Sequence, residues 1–322
     1  MDRVTIEGYG FVVTAALLWG TAGIASTLAP AGIPAAAFAD VRLWMGGCGL
    51  AWVLGPRRLR QVLIVKARRP LVVASGALAL FQWSFFTAVA STGVAVATVV
   101  STTTAPLMAG ALAYACNRVP LSLAWWFAFV LTVIGLAFVG ADAPRASLIG
   151  VFWALASGAL YALFTQTITA CEHVPGDDVA ITAWALLAGA VALTPMAATY
   201  LEIFLSLRGM VVAVYLGWVT TALAYGLYIL GLRRLGATAA LAALWVQPLA
   251  GILFGFLVLH EVFNPRALVG VSCLALAMVG LTRAPRTPPA RCVIKRSCVY
   301  HFVLSLKESL YVSYPPSRPD CD

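Results

Sequence analysis

Three glutamines, Gln82, Gln166 and Gln247, stand inside apolar runs long enough to cross a bilayer. Each amide has several hydrogen-bonding positions that lipid cannot satisfy, so it must meet protein or a polar solute. Aromatic side chains accompany them within the same kind of run: Trp19, Tyr161, Tyr225 and Trp245. Such rings suit an amphiphilic or cationic solute through apolar contact and ring electrostatics. The helical period of 3.6 sorts the remaining polar groups into faces. Thr98, Ser101 and Thr102 share one; Tyr161, Thr165 and Thr169 share another, with Gln166 beside them. Trp218, Thr221, Tyr225 and Tyr228 form a third, while Trp19 aligns with Gly23 and Ser26, and Gln82 with Phe85 and Phe86. The candidates for binding a solute are therefore Trp19, Gln82, Thr102, Tyr161, Gln166, Tyr225, Trp245 and Gln247. For a single Ser or Thr the plainer reading is helix packing, where an interhelical hydrogen bond contributes about 0.6 kcal/mol.

Asp40 and Arg42 are the only acid and base well inside a predicted span. A charge at the bilayer centre costs about 2.5 to 3.5 kcal/mol on insertion scales, which makes both functional candidates. Two residues apart on a helix they point about 200° away from each other, so they are not expected to pair. Arg42 is suited to binding a carboxylate or bracing the bundle, and Asp40 to carrying a proton as coupling ion. Glu261, next to His260 at the end of another apolar run, suits a gating or structural ion pair. Hydrolytic chemistry finds no support, because the chain has no Gly-x-Ser-x-Gly elbow and no HExxH helix. Seven scattered Cys and three His lack the grouping of a metal site or a disulfide framework, so no metal, cofactor or enzymatic activity is expected.

These residues need a membrane to make sense, and the composition supplies one. With 62% hydrophobic and 10% charged residues, and a mean hydropathy of +0.93, the chain is far from a soluble domain. A net charge of +9 does not imply nucleic acid, since the basic residues sit in short segments between apolar runs. Ten candidate membrane helices follow: roughly 9–28, 34–54, 70–90, 94–115, 121–140, 147–170, 179–199, 209–231, 236–259 and 266–282. The first is read as retained, because Asp2, Arg3 and Glu7 do not make the basic region of a signal peptide. Placing both termini in the cytoplasm puts 17 of the 21 Lys and Arg inside and leaves Arg145, Arg208 and Arg266 outside. The acidic connection at Glu172, Asp177 and Asp178 is the weak point of that assignment. Beyond Arg283 the chain is proline-rich and basic, and is read as a disordered cytoplasmic tail.

Two of the apolar runs contain a proline at matching places, Pro106 and Pro248. Gly10 matches Gly150, and Gly135 matches Gly280, at nearly the same offset. The chain thus reads as an all-α polytopic membrane protein, ten transmembrane helices in a 5+5 inverted repeat, with units 1–140 and 141–283 and a tail 284–322. An odd number of spans per half inserts the second half from the opposite side. A proline removes a backbone hydrogen bond, so both runs are expected to break where the freed carbonyl meets protein or water.

The residues LLWGTAG at 17–23, the Pro34 to Arg42 spacing, VTTALAYGLYILGLRRLGA at 219–237 and WVQPLAGILFGFLVLHEVF at 245–263 resemble the drug/metabolite transporter superfamily of the EamA-domain type. The likeness covers about residues 8 to 283. It implies a ten-helix inverted-repeat carrier of the cell inner membrane with cytoplasmic termini, exporting amino acids, other metabolites or drugs from a central cavity. The family often has a Gly-Glu pair after the fourth helix; here Cys116, Asn117 and Arg118 stand there, and only Glu261 matches in the second half. The expected function is secondary transport of a small organic solute across the lipid bilayer by alternating access, as a monomer or homodimer. The alternative is a non-transporting membrane scaffold or regulatory subunit that holds a partner through its basic tail.

Overall fold

The computed structural model describes residues 3–28, 30, 32–64, 68–92, 94–117, 120–141, 147–170, 177–250, 253 and 265–282. Within lipid a backbone can satisfy its amides only inside a helix or a closed barrel, and the described residues take the helical solution. The order is α1 (Arg3–Thr27), α2 (Ala35–Ile64), α3 (Arg68–Thr92), α4 (Val94–Asn117), α5 (Leu123–Ala141), α6 (Leu148–Thr169) and α7 (Asp177–Ala197). A 3₁₀ segment, Ala198–Leu205, leads into α8 (Leu207–Val214), a π-helical stretch (Tyr215–Leu223) and α9 (Ala224–Leu235), which form one continuous rod. Next come α10 (Ala237–Ala243) and α11 (Pro265–Thr282). In α2, Gly55 at φ 76° precedes Pro56, a left-handed step that ends the apolar part and releases Arg57, Arg58 and Arg60 from it.

Among the described residues six helices are long and apolar enough to cross a membrane: Arg3–Ala22, Pro70–Thr92, Val96–Cys116, Leu148–Thr169, Asp178–Pro195 and Leu207–Leu235. Three shorter apolar helices, Leu123–Phe138, Ala237–Ala250 and Val269–Thr282, and the charged α2 occupy the other four stretches read as spans. Large apolar side chains face outward all round, with Trp52 75% and Leu148 88% exposed. A water-soluble surface does not tolerate such a coat, and a lipid-facing one requires it.

The pairing of helices repeats when the two halves are exchanged. Helix α3 packs along α6 as α1 packs along α9, and the pairs α2 with α7 and α5 with α11 each join equivalent helices. Individual contacts obey the same exchange. A side chain at Gly150 would strike Thr92, and one at Gly8 would strike Arg234; both pairs are related by a shift of 142 positions. The Trp245 indole donates to the Thr103 hydroxyl at 3.3 Å, again 142 positions away, so residues at equivalent places in the repeats touch each other. A shared local axis therefore runs between α4 and the segment after α10.

Three sequence expectations change. Helix α4 continues through Pro106 without the expected break. The Thr103 and Thr104 hydroxyls bond back to the Val99 and Val100 carbonyls, and the buried proline is held by its neighbours. The second run does break, at a turn over Leu244 and Trp245, and Pro248 sits just after it, where a missing amide proton costs little. Trp218 leaves the face it was assigned to, being 42% exposed and packed on Trp52 at 5.8 Å. The π-helical stretch alters the register between it and Tyr225. Finally, Cys116 is held in a disulfide, whereas Cys48 and Cys273 are free thiols.

Candidate functional site

The centre of the bundle holds an aromatic cluster built from both repeats. Trp19 of α1 meets Tyr225 of α9 at 5.1 Å and Tyr228 at 5.6 Å between ring centroids. Tyr161 of α6 packs on Tyr228 at 6.1 Å and on Phe81 of α3 at 4.9 Å. All four polar aromatics are buried. Trp19 and Tyr161 are themselves 142 positions apart, so equivalent residues of the two halves converge on Tyr228. Tyr228 shares a hydrogen bond with Thr165 at 3.1 Å. The Trp19 indole N–H is buried with no partner among the described residues, an omission that costs about 1 to 3 kcal/mol in an ordinary core.

Arg42 reaches the same cluster from α2. Its Nε donates to the Thr221 hydroxyl at 3.2 Å, four residues before Tyr225 on the same rod. No described carboxylate pairs with it. Thr221 is turned toward it by the π-helical stretch, in which its hydroxyl donates to the Leu216 carbonyl five residues back. Such stretches recur at functional sites because they re-aim a side chain without ending the helix.

Asp40 points the other way, as its spacing from Arg42 predicts. It is fully buried against α7, where Oδ1 accepts from the Thr194 hydroxyl at 3.2 Å and Oδ2 has no partner. Thr194 in turn accepts from the Trp44 indole at 2.9 Å and faces the Ala190 carbonyl at 2.9 Å.

The structure brings Trp19, Tyr161 and Tyr225 together and adds Arg42 to them. Gln82 is buried on α3, one position from Phe81, and its amide makes no hydrogen bond among the described residues. Thr102 is half-buried on α4, next to Ser101, which accepts from Ser157 of α6 at 2.7 Å. Gln166 is fully buried and donates to the Ala109 carbonyl at 2.9 Å, tying α6 to α4. Trp245 lies in a separate apolar cluster with Leu107, Leu274 and Met278, and Gln247 is half-buried beside the break. An apolar cleft of about 600 Å³ opens there between Tyr9, Val13, Trp245, Leu249 and Met278, away from the aromatic cluster. Glu261 lies outside the described residues. Sequence reasoning left Tyr228 and Thr221 out of its site, although their spacing from Tyr225 placed them on its face. Thr194 gave no signal at all.

Ion pairs tie α1, α7 and α9 together where α1 and α7 begin and α9 ends. Arg233 makes a two-pronged pair with the buried Asp178, and Arg234 lies 3.9 Å from Glu7 and over the Phe11 ring at 4.9 Å. Of the acids in the connection before α7, Asp178 is thus paired with Arg233. Arg233→Gln strands Asp178 and is expected to lower stability by about 2 kcal/mol. Arg233→Gln with Asp178→Asn should recover most of it, as thermal unfolding of the detergent-solubilised protein will show.

A fold of this shape is found among solved structures: one crystal structure matches with a TM-score of 0.63 over 87% of this chain and 96% of its own, at 18% identity. That likeness concerns the fold alone. The profile of the EamA-like transporter family matches twice, over residues 6–141 and 148–283. The chain belongs to the EamA-like transporter family. An uncharacterized transporter of Bacillus subtilis (strain 168), YwfM, is 34% identical over 281 residues, which is 86% of this chain and 94% of that protein. As an EamA-like transporter the protein is a multi-pass membrane protein that moves a small solute, and it is not an enzyme. The two matched segments give the exchange of helix contacts its origin: each half is one copy of the family's repeat.

Proposed function

We propose that this transporter is a secondary carrier that exports a small organic solute across the cytoplasmic membrane by alternating access. The solute sits among Trp19, Tyr161, Tyr225 and Tyr228, with Gln82 and Arg42 at the margin. The observation that carries this reading is the convergence of Trp19 and Tyr161, equivalent residues of the two repeats, on Tyr228 around a buried indole N–H without a partner. A carrier built from two related halves forms its site where they meet, and rocking one half against the other exposes that site to each side in turn. On this reading the end of the bundle that holds Arg233–Asp178 and Arg234–Glu7, where α1 begins and α11 ends, faces the cytoplasm. Opening inward then requires α1 to part from α9 and breaks Arg234–Glu7, while Arg233–Asp178 stays within the second unit. Units 1–140 and 141–283 are the moving bodies, and Asp40 supplies the coupling proton.

Comparing metabolite accumulation in cells with and without the gene identifies the solute, and counterflow in proteoliposomes then tests the mechanism. Preloaded vesicles should show transient uphill exchange, and Tyr225→Ala should abolish it while the protein still reaches the membrane. Fast flux without counterflow would instead describe a channel.

A further inference from the structure

We infer that the solute is an organic monoanion, a carboxylate joined to an apolar or aromatic body, and that Arg42 binds its charge. This rests on the reading of the aromatic cluster as the transport site and specifies what that site takes.

Arg42 is a permanent charge in the wall of a membrane bundle, and its one described hydrogen bond goes to a neutral hydroxyl, that of Thr221. Arg42 is half-buried; a charge held inside a membrane bundle without a counter-ion is expensive, and proteins that keep one generally supply the opposite charge from another side chain. The nearest candidate on the chain, Asp40, is spent on Thr194 at the α7 side. Of the other described acids, Glu7 and Asp178 are engaged by Arg234 and Arg233 at the end of the bundle, and Glu202 is exposed on the 3₁₀ segment. The missing negative charge therefore comes with the solute.

The surroundings define the rest of the molecule. A guanidinium presents five N–H donors in a planar fork that matches a carboxylate, and one donation to Thr221 leaves most of them free. The Trp19 indole N–H, 8% exposed and without a partner, is a second donor at the same cluster, and it too wants an acceptor. Beyond these polar groups the cluster offers ring faces: Trp19, Tyr161, Tyr225, Tyr228, Phe81 and Phe164. One fixed positive charge balances one negative charge, which selects a monoanion over a dianion such as a phosphate monoester. The rings alone would also take a cation, but the fixed positive charge of Arg42, bonded to Thr221 four residues before Tyr225, repels one. The cationic solute that the rings suggested from sequence is thereby disfavoured.

Three compounds of one shape separate the possibilities: 3-phenylpropionate, its amide and 3-phenylpropylamine. Each is titrated against the full-length protein in detergent micelles, with the rise in unfolding temperature giving an apparent affinity. The carboxylate is expected to bind about tenfold more tightly than the amide, the amount that one charge-assisted hydrogen bond supplies, and the amine not at all. Arg42→Gln should abolish the preference, and Arg42→Lys should keep part of it. Trp19→Phe, which preserves a ring, should weaken the carboxylate without creating affinity for the amine; it covers the case in which the Arg42 variants do not fold. If the amide or the amine binds as tightly as the carboxylate and Trp19→Phe still weakens it, the cluster remains the site and the anion assignment is overturned. If the carboxylate preference persists in Arg42→Gln, Arg42 is overturned as its origin. If none of the three shifts the unfolding temperature, the anion assignment and the reading of the cluster fall together.

Discussion

Replacing Trp19 with Phe is expected to lower transport about tenfold while leaving the protein about as stable as before. The two effects separate because the indole N–H is buried and has no partner. A stranded donor costs stability, so deleting it gives back about 1 to 3 kcal/mol. The smaller ring leaves a void at a place where Trp19 touches Tyr225 and Tyr228, and a void costs a similar amount. Folding thus changes little. Transport changes because the donor is kept for the solute, and losing one hydrogen bond to a charged acceptor weakens binding by an order of magnitude. Counterflow and thermal unfolding measured on the same preparation test both halves. Unchanged transport would reduce Trp19 to a packing residue, and so would a fall in transport matched by an equal collapse in stability.

The repeat and the position of most spans were legible in the sequence because they depend on what lipid demands of any chain. Apolar length, the clustering of Lys and Arg, and the shared offset of Pro106 and Pro248 all follow from it. Helical spacing also grouped Thr221, Tyr225 and Tyr228 correctly. It failed for Trp218, because no residue type announces a π-helical stretch, and one such turn is enough to move a side chain from the interior to the lipid face. Proline marked the break in the second half but not in the first. The sequence shows the lost amide proton, while the hydroxyls and neighbours that accommodate Pro106 are tertiary facts. Trp245 and Gln247 were placed in the site because a broken helix suggests one. In the fold the break turns Trp245 toward Thr103 and a second apolar cluster. The direction of Arg42, on which the proposed chemistry of the site rests, depends on what α8 to α9 present to α2, and no pattern along α2 contains that information.

Asp40→Asn is expected to abolish accumulation of solute against its gradient while leaving exchange of solute for solute intact. Thr194 has one hydroxyl proton and two acceptors in reach, the Asp40 carboxyl at 3.2 Å and the Ala190 carbonyl at 2.9 Å. With Asp40 ionised, that proton serves the carboxylate. With a proton on Asp40, the carboxyl becomes the donor, and the Thr194 proton turns to Ala190, while the Trp44 indole donates to Thr194 in either case. One proton on Asp40 therefore rewrites the contact between α2 and α7, the equivalent helices of the two repeats. The same helix α2 carries Arg42 to Thr221 two residues further on, so in the proposed cycle a movement of α2 reaches the proposed coupling group and the proposed solute site together. Asparagine keeps the shape and a donor but cannot ionise, which holds the contact in its proton-bearing form. A carrier locked in this way still rocks with solute bound, and it loses the link to the proton gradient. Proteoliposomes with an imposed pH difference measure accumulation, and preloaded vesicles without one measure exchange. Accumulation by Asp40→Asn at the rate of the unaltered protein would remove Asp40 from the coupling step, and loss of both activities would make it a structural residue of the α2–α7 interface.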